Sequence, residues 1–439
     1  AGFPADKILY YHTSETEDEL HLFTQIRPDA ILTKESGLSG GFIQKASAAR
    51  QLGIPMYVIR RPILPAYTTT VTGPHGLRMA IEKLLPNFYP LRSGFTSGSC
   101  ATAAAKAALT ALLTGKKEKH IAITLPDGEQ VELPVDSIEI APDMLCATAF
   151  VIKNAGDDPD VTNGIRIGAR IAFTSTSGIH FLQGEGVGRI TLPGLGLEIG
   201  SPAINMTPRN MITNELSTLC PTQGINVTIF VPGGADIAKR TFNPKLGIIG
   251  GISIIGTSGI VRPFSAEAFV HSIRREIEVC QAVGAERLVI NSGARSERYL
   301  KELYPNLPPQ AFVQYGNYIG DTIRMANEIG VKEITLGVML GKAVKLAEGK
   351  LDTHSRKSVM NRDFLFAQAT DCGCSHNTLQ AISHITLARE LWSLLPSSEA
   401  DAFYPHLLAL CHKHVDPLLP QGKILIVLID ENGCIRYHL

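Results

Sequence analysis

The stretch TFNPKLGIIGGISIIGTSGIVRPFS, Thr241 to Ser265, places five glycines in an isoleucine-rich segment that ends with Arg262-Pro263. A strand, a glycine loop and a helix in this order are typical of loops whose backbone N–H groups approach a nucleotide. The stretch departs from G-x-G-x-x-G, and the next strand ends in Asn291-Ser292-Gly293, where dinucleotide sites place an acid. Two interpretations stay open: a cofactor loop, or glycines needed for packing.

Downstream of this stretch, strand and helix patterns alternate. GISII, RLVIN, AFVQY and EITLGVM are short apolar segments separated by helical patterns, and Ser265 is placed to cap the first helix. This alternation predicts a doubly wound, Rossmann-like sheet within 246–439. A helical tail and the strand KILIVLI complete that domain, and the pattern does not assign the strand a partner.

Upstream, a separate α+β domain is predicted for 91–245. It starts with RSGFTSGSCATAAAKAALTALLTG, which predicts an alanine-rich helix over about 101–113 with Gly115 just past its end. The N–H groups at such a helix start form an anion site. Alternating segments such as HIAITL and IRIGARIAFTS then predict a largely antiparallel sheet.

The first 65 residues predict a small α/β segment with parallel strands, among them KILYYH at 7–12, and with a glycine-rich turn at 36–41. Turn-forming residues over 66–90 predict a linker with one short helix. The first residue is not Met and no signal-peptide pattern follows it, so we expect the sequence to begin within a longer chain.

Composition limits the function classes. With 44% hydrophobic and 19% charged residues, the 439-residue chain predicts a globular protein of two or three domains. Forty-one basic residues balance forty-one acidic ones, which gives no electrostatic reason to expect nucleic acid or a membrane surface as partner. No apolar run approaches the roughly 20 residues of a membrane helix, and eight scattered cysteines favour the cytoplasm.

Of three further motifs, two each have two interpretations and the third has one. GDDPDVTNG, 156–164, crowds three carboxylates that form either a general base or cation site, or an Asx-rich turn. DCGCSH and CHKH in the tail gather cysteines and histidines, but C-x-C lacks the ligand spacing of structural zinc sites, which favours incidental thiols and no protein metal site. GVMLGKAVK lacks a Ser or Thr after Lys342, so we assign it no role in nucleotide hydrolysis.

Several blocks together resemble one family. RSGFTSGSCATAAAKAA, VIKNAGDDPDVTNG, GEGVGRITLPGLGLEIGSPAINMTPRNMI, AKRTFNPKLGIIGGISIIGTSGIVRPFS, NYIGD and KLDTHSR are similar, in this order, to the CbiD family, the cobalt-precorrin-5B C(1)-methyltransferases. The resemblance implies S-adenosylmethionine-dependent methylation of a ring carbon in anaerobic cobalamin biosynthesis, on an α+β domain followed by a Rossmann-like domain. One departure lies at 338–340, where Val-Met-Leu stands in place of the histidine-containing block of many members.

The first 65 residues have a resemblance of their own. LTKESGLSGGFIQKASAARQLGIPMYVIRRP is similar to the C-terminal end of cobalt-precorrin-6A reductases, which act on the methylation product. This implies a fusion of consecutive steps, with a precorrin-6A reductase or other pathway enzymes as partners. The competing interpretation is a corrinoid-binding or scaffold protein without turnover.

The predicted sites follow from the residues and the family blocks together. The substrate is a cobalt-bearing tetrapyrrole edged with carboxylates, so cobalt enters with the substrate, and arginines and oriented N–H groups are the groups that bind it. Predicted substrate contacts are Arg92, Thr96, Ser97, Ser99, Arg209 and Arg262. Predicted contacts to the cofactor S-adenosyl-L-methionine are Gly250, Gly251, Gly256, Thr257, Ser258, Gly259 and Asn291. The predicted catalytic carboxylates are Asp157, Asp158 and Asp160.

Overall fold

The computed structural model describes residues 16–36, 41–60, 70–71, 73–354 and 359–439. They fall into two compact units, 1–70 and 71–439. The predicted strand at 7–12, most of the predicted turn at 36–41 and part of the predicted linker lie outside the described residues.

The described part of the first unit is a small α/β arrangement. Its two strands pair in parallel, with Ile31 opposite Met56, and Gly53 adopts a left-handed conformation that ends the second helix. The elements are α1 Thr16–Ile26, β1 Ile31–Lys34, α2 Phe42–Leu52 and β2 Met56–Ile59.

We call residues 73–261 of the second unit the first lobe. Its five-stranded sheet has the order β6-β7-β8-β11-β9, antiparallel except where β9 and β11 run in parallel, which confirms a largely antiparallel sheet. The elements are α3 Gly73–Leu84, β3 Gly94–Phe95, α4 Ser97–Thr114, β4 His120–Thr124, β5 Gln130–Pro134, β6 Ser137–Ile140, β7 Cys146–Ile152, β8 Arg166–Thr174, β9 Ile179–Gln183, β10 Arg189–Ile190, α5 Met206–Leu219, β11 Gly224–Phe230, α6 Gly234–Ala238, β12 Ile248–Ile249 and β13 Ile260–Val261.

Helix α4 forms the centre of the first lobe. The Thr96 side chain accepts a hydrogen bond from Ser99 N at its start, and Gly115 in a left-handed conformation ends it. Its alanines are almost completely buried, because small side chains let the helix lie close to β7, β8 and α5. The helix begins earlier than the sequence predicts, since Thr96 rather than a later residue caps it.

The glycine stretch belongs to the first lobe, which corrects the prediction that GISII opens the parallel sheet. Ile248–Ile249 pairs with Arg189–Ile190, and Ile260–Val261 pairs with Gly94–Phe95. Isoleucines of this stretch are buried with α4 in one core: Ile252, Ile254 and Ile260. The sequence pattern does not identify the pairing partners of this stretch, because strands of two residues carry no hydrophobic period.

The second lobe, 266–439, contains a sheet of four parallel strands and one antiparallel edge strand in the order β15-β14-β16-β17-β18. The strand KILIVLI, left without a partner by the sequence, pairs with β16 along its whole length. The elements are α7 Ala266–Ala282, β14 Leu288–Asn291, α8 Ala294–Leu303, β15 Phe312–Gln314, α9 Ile319–Ile329, β16 Glu333–Met339, α10 Leu340–Ala347, α11 Arg362–Asp371, α12 His376–His384, α13 Leu391–Leu394, α14 Ser397–Val415, β17 Lys423–Ile429 and β18 Ile435–His438.

Lys245 joins the two lobes. Its Nζ lies 2.5 Å from Glu276 Oε2 on α7 and also donates to Phe312 O at the start of β15. Gln310 Nε2 donates back to Lys245 O at 2.9 Å. Lys245, which lies in one of the sequence blocks that resemble the family, thus holds the parallel sheet against the first lobe.

Candidate functional site

The start of α4 is packed against the glycine loop. Gly98 N donates to Ile255 O (2.8 Å), and Ser99 Oγ donates to Gly259 O (2.7 Å). The predicted anion site at this helix start therefore holds the chain's own carbonyl groups. The predicted substrate contacts in this region are buried and internally bonded: Thr96, Ser97 and Ser99.

The glycines of the loop have a packing reason. A Cβ on Gly256 would overlap the Thr96 side chain, and one on Gly259 would lie 2.6 Å from a Leu125 methyl group. A Cβ on Gly251 would overlap the backbone oxygen of Gly186. These contacts favour the packing interpretation of the stretch. The other predicted cofactor contacts of the loop are exposed: Gly250, Thr257 and Ser258.

Arg92 and Asp157 form an ion pair. Asp157 Oδ1 lies 2.7 Å from Arg92 Nη2, and Asp157 Oδ2 accepts a hydrogen bond from Arg92 N at 2.7 Å. The hydrogen bonds and charge of Arg92 lower the pKa of Asp157. Asp157 is therefore an ionised partner of a predicted substrate contact rather than an unpaired base.

The other two predicted catalytic carboxylates point to different neighbours. Asp158 Oδ2 accepts a hydrogen bond from Phe264 N at 3.2 Å. Asp160 Oδ2 lies 2.7 Å from Nζ of Lys153, whose side chain is 2% exposed. Burial acts to raise the pKa of Asp160, but the charge of Lys153 and hydrogen bonds from Thr162 outweigh it and lower that pKa. The acidic cluster is thus divided among separate partners.

Arg209 supports the backbone. Its Nε donates to Ile204 O (2.7 Å) and its Nη2 to Pro202 O (3.1 Å), while its guanidinium lies 5.1 Å from the ring centroid of Phe181. Burial lowers the pKa of Arg209. Its donors are used to hold the segment before α5, so the structure gives it a different role from the predicted substrate contact.

Arg262 is held by a histidine that the sequence did not single out. Arg262 Nη2 lies 3.1 Å from His75 Nε2, and His75 Nδ1 lies 2.8 Å from Glu129 Oε2. A carboxylate only accepts hydrogen bonds, so His75 donates from Nδ1 and accepts from Arg262 at Nε2. Within the described ranges, no carboxylate lies within 4.0 Å of the Arg262 guanidinium.

Glu129 fixes the start of α3. It accepts hydrogen bonds from the backbone N–H groups of His75 (3.1 Å) and Gly76. Burial acts to raise the pKa of Glu129, but these bonds and His75 outweigh it and lower that pKa. Ligand atoms of His75, Asp127 and Glu129 lie within 4.8 Å of one another, as in a metal site. Since Arg262 donates to Nε2 and Nδ1 carries the proton, the geometry fits a positioned arginine better than a cation.

Short strands and the contacts described above bring the segments that carry these groups together. Gly94–Phe95 pairs with Ile260–Val261, and Phe95 N donates to Asn154 O at 2.7 Å. We call the resulting set the arginine face: His75, Arg92, Glu129, Asp157, Asp158, Arg262 and Phe264. Phe264 adds an aromatic ring that is 72% exposed, on a backbone with φ of 55°, which is rare for a residue with a Cβ.

A second group of polar residues follows the parallel strands of the second lobe. Asn291 is fully buried, donates from Nδ2 to Val313 O (3.3 Å) and accepts from Gly293 N (3.0 Å). We call the residues after β14, β15 and β16 the carboxyl edge: Asn291–Gly293, 315–317 and 339–342. Phe269 of α7 lies beside it, with its ring 5.8 Å from that of Tyr318.

The Cys and His residues of the tail have separate surroundings. Cys411 is buried with Sγ 3.3 Å from Ala343 O, and His412 Nδ1 lies 2.9 Å from Asp416 Oδ1. Burial raises the pKa of the Cys411 thiol, which disfavours the thiolate that metals bind. Across the described ranges, these tail residues do not form a three-ligand cluster.

None of the helices in the described part of the chain has the length and apolar character needed to span a membrane.

The chain is similar to known proteins over most of its length. It matches the family model CbiD over 86–263, the model of the CbiD C-terminal domain over 352–438, and the model Precorrin-6x reductase CbiJ/CobK over 1–80. It is 43% identical to a cobalt-precorrin-5B C(1)-methyltransferase of Prosthecochloris aestuarii over 79% of this chain and 95% of that protein. A protein of the same name from Geobacillus kaustophilus is 40% identical over 73% and 87% of the two chains.

A crystal structure titled cobalamin biosynthesis protein (cbiD), from Archaeoglobus fulgidus, is 28% identical and covers 61% of this chain and 83% of that chain. Its TM-score is 0.33.

Proposed function

The chain belongs to the CbiD family, and from that premise we propose that it methylates carbon 1 of cobalt-precorrin-5B to give cobalt-precorrin-6A in cobalamin biosynthesis, with S-adenosylmethionine as methyl donor. The observation that carries the proposal is the 43% identity to a relative of that name, over 95% of the relative's length.

The chemistry requires positioning more than proton transfer. The ring carbon forms a bond to the methyl group, the sulfur–methyl bond breaks, and its electron pair stays on sulfur as the neutral thioether of S-adenosylhomocysteine. Because the leaving group takes no proton, the rate depends on alignment and on exclusion of water. The cobalt is part of the substrate.

The arginine face is the proposed substrate surface. The ring is flat and carries carboxylates at its edge, and the face offers an exposed aromatic ring at Phe264 together with two guanidinium groups. Arg262 is the stronger candidate, because a neutral His75 holds it while Asp157 already neutralises Arg92. Among the predicted catalytic carboxylates we retain Asp158, which lies at this face beside Phe264, to steady positive charge on the donor.

The second lobe is the proposed cofactor domain. Counted from β14, its strand order is 2-1-3-4-5 with an antiparallel fifth strand, and we assign it to the doubly wound sheets, which bind ligands outside the carboxyl ends of the strands. Asn291 lies there and stays in the proposed site, whereas Gly251, Gly256 and Gly259 of the loop have packing partners. We propose domains that follow the lobes, with the boundary after Val261 instead of residue 245.

The first unit matches a reductase model over 1–80. We propose that it represents a fusion with the next step, that it does not reduce the product alone, and that a precorrin-6A reductase is a partner. The eight cysteines are free thiols, which supports a cytoplasmic location as part of the same proposal.

Methyl transfer from [methyl-14C]S-adenosylmethionine to cobalt-precorrin-5B tests the function. We expect label in the corrinoid product and one S-adenosylhomocysteine per methylated ring. Arg389→Ala is the matched control for arginine variants, since Arg389 is exposed. Tight binding of the ring without any transfer would favour the alternative, a non-catalytic corrinoid-binding protein.

A further inference from the structure

Lys342 places an ammonium group at the carboxyl edge, and none of the described carboxylates contacts that group. It is half-buried on the first turn of α10, and its Nζ donates to Gly316 O and to Asn317 Oδ1, the latter at 3.0 Å. The same atom lies 5.1 Å from the ring centroid of Tyr315. All of these partners are neutral. Of the residues the structure describes, no carboxylate lies within 4.0 Å of this ammonium group.

A second buried lysine has the kind of carboxylate partner that Lys342 lacks among the described residues. Lys153, in the first lobe, is more deeply buried and has Asp160 at 2.7 Å. At Lys342, burial lowers the pKa to about 8, the charge of Lys345 acts in the same direction, and the charge of Asp352 opposes both with a smaller effect. An ammonium group that loses water without gaining a counter-ion is a site prepared for an anionic ligand.

The position in the sheet also favours a ligand. β14 lies between β15 and β16, so the chain leaves β14 to one side and returns on the other, and β14 and β16 flank the topological switch point. Each of these strands is followed by a glycine, Gly293 and Gly341. Apart from the adjacent residues and, for Gly341, the backbone of α10, none of the described residues would have a heavy atom within 4 Å of a Cβ built on either glycine. Open space therefore lies above both strand ends, beside Lys342.

We propose that Lys342 binds the carboxylate of the methyl donor in this crevice, a proposal that rests on the methyltransferase function. A single flexible carboxylate at the end of an amino-acid chain fits one half-buried ammonium group, and sheets of this strand order bind ligands outside the carboxyl ends of their strands. A short segment of the chain joins the arginine face to the carboxyl edge. Phe264 and Phe269 are five residues apart, hence at most about 18 Å, and Phe269 contacts the carboxyl edge at Gly316.

Calorimetric titration of the full chain with two probes tests the proposal. S-adenosylhomocysteine carries the carboxylate, and 5′-methylthioadenosine shares its adenosine and sulfur but lacks the amino-acid part. Lys342→Gln removes the charge and keeps a hydrogen-bond donor. Lys332→Gln is the matched control, because Lys332 is an exposed lysine just before β16, the strand that leads into α10 and Lys342.

We expect Lys342→Gln to weaken S-adenosylhomocysteine about ten- to a hundredfold, the range of one charge-assisted hydrogen bond, and to leave 5′-methylthioadenosine unchanged. Lys332→Gln changes neither. Unchanged affinity for S-adenosylhomocysteine in Lys342→Gln, or an equal loss for both probes, overturns the proposal. If the unvaried chain binds neither probe and transfers no methyl group, the proposed function itself is wrong.

The pH dependence of ligand binding to the unvaried chain is a second test, and it does not require that any variant folds. Since the ammonium form binds the anion and the pKa lies at about 8, raising the pH from 7 to 9 removes most of the charged form. The affinity for S-adenosylhomocysteine relative to 5′-methylthioadenosine then falls about tenfold. A ratio that does not change over this range contradicts the assignment to Lys342.

Discussion

The glycine loop at 247–259 and the carboxyl edge of the second lobe both place glycines after a short strand, yet their surroundings differ. In the loop, the space beside Gly256 and Gly259 is filled by the Thr96 and Leu125 side chains. At the carboxyl edge, the space beside Gly293 and Gly341 is open. A glycine pattern thus permits close approach of any group, and only the fold decides whether that group belongs to the protein or to a ligand.

Gly256→Val is expected to have the largest effect. It places a branched side chain against Thr96 at a backbone φ of 151°, so overpacking and strain together lower the free energy of unfolding by about 3 kcal/mol or more. Urea unfolding followed by circular dichroism measures it. The matched control is Gly341→Ala, whose methyl group enters open space in helix α10. This substitution leaves the free energy of unfolding unchanged or raises it by up to about 1 kcal/mol, because alanine favours the helix more than glycine does. It weakens the binding of S-adenosylhomocysteine.

The opposite pattern would break the comparison. If Gly256→Val folds with normal stability and loses the cofactor while Gly341→Ala keeps it, the glycine loop is the cofactor site.

Asp160→Asn is expected to cost about 3 kcal/mol, because it leaves the buried Lys153 without its counter-ion. The folded-state pKa of Asp160 is depressed, so the contribution is complete above the unfolded value of about 3.9 and is lost as the pH falls through the folded pKa. Unfolding free energies of both proteins from pH 8 to pH 3 measure this. A difference that grows toward acid would contradict the assignment.

Arg262 and Arg209 are expected to separate binding from stability. Arg262→Ala weakens binding of cobalt-precorrin-5B by about 1.5–3 kcal/mol and leaves the fold intact, because Arg262 is exposed and, among the described residues, its guanidinium has a side-chain partner only in His75. Arg209→Ala mainly lowers stability, since it removes donors from Pro202 O and Ile204 O. Fluorescence titration with the ring, run beside thermal unfolding and with Arg389→Ala as control, distinguishes them. Normal ring binding by Arg262→Ala would remove the arginine face from the substrate site.

Deletion of 1–70 is expected to have the smallest effect, with methylation retained, because residues 71–439 form a compact unit of their own. Deletion of 1–85 removes α3 and with it His75, so substrate affinity falls as Arg262 loses its support. Comparing KM and kcat of the two deletions measures this. Equal, full activity of both would show that α3 is dispensable, whereas loss of methylation in a folded 1–70 deletion would make the first unit part of the enzyme.

Much of the fold follows from the sequence because its signals are local. The strands RLVIN, AFVQY and EITLGVM and the Ser265 cap are where periodicity and capping predict them, and α4 is present but begins four residues before its predicted start. The partner of the glycine stretch was wrong, because the pairing of two-residue strands depends on tertiary contacts and not on period.

The candidate site was harder to predict because its contacts join distant segments. His75 lies in a stretch rich in turn formers, and Glu129 follows an Asp-Gly turn. The two residues meet at the start of α3, and their separation of 54 positions in the sequence matches no known motif. The sequence singles out the carboxylates at 157–160 as charged groups, and their place in the site stays a prediction. Their partners Arg92 and Lys153 emerged only from the fold. The sequence analysis assigned Lys342 no role, because it compared the surrounding motif only with a phosphate-binding loop. The role proposed for Lys342 rests on its burial, which the sequence does not show.

A crystal structure of the chain with S-adenosylhomocysteine tests the central claim most directly. The account predicts density above the carboxyl ends of β14 and β16, close to Gly293 and Gly341, with the carboxylate of the ligand within hydrogen-bond distance of Lys342 Nζ. Density for the nucleoside against residues 250–259, with its carboxylate remote from Lys342, would contradict it.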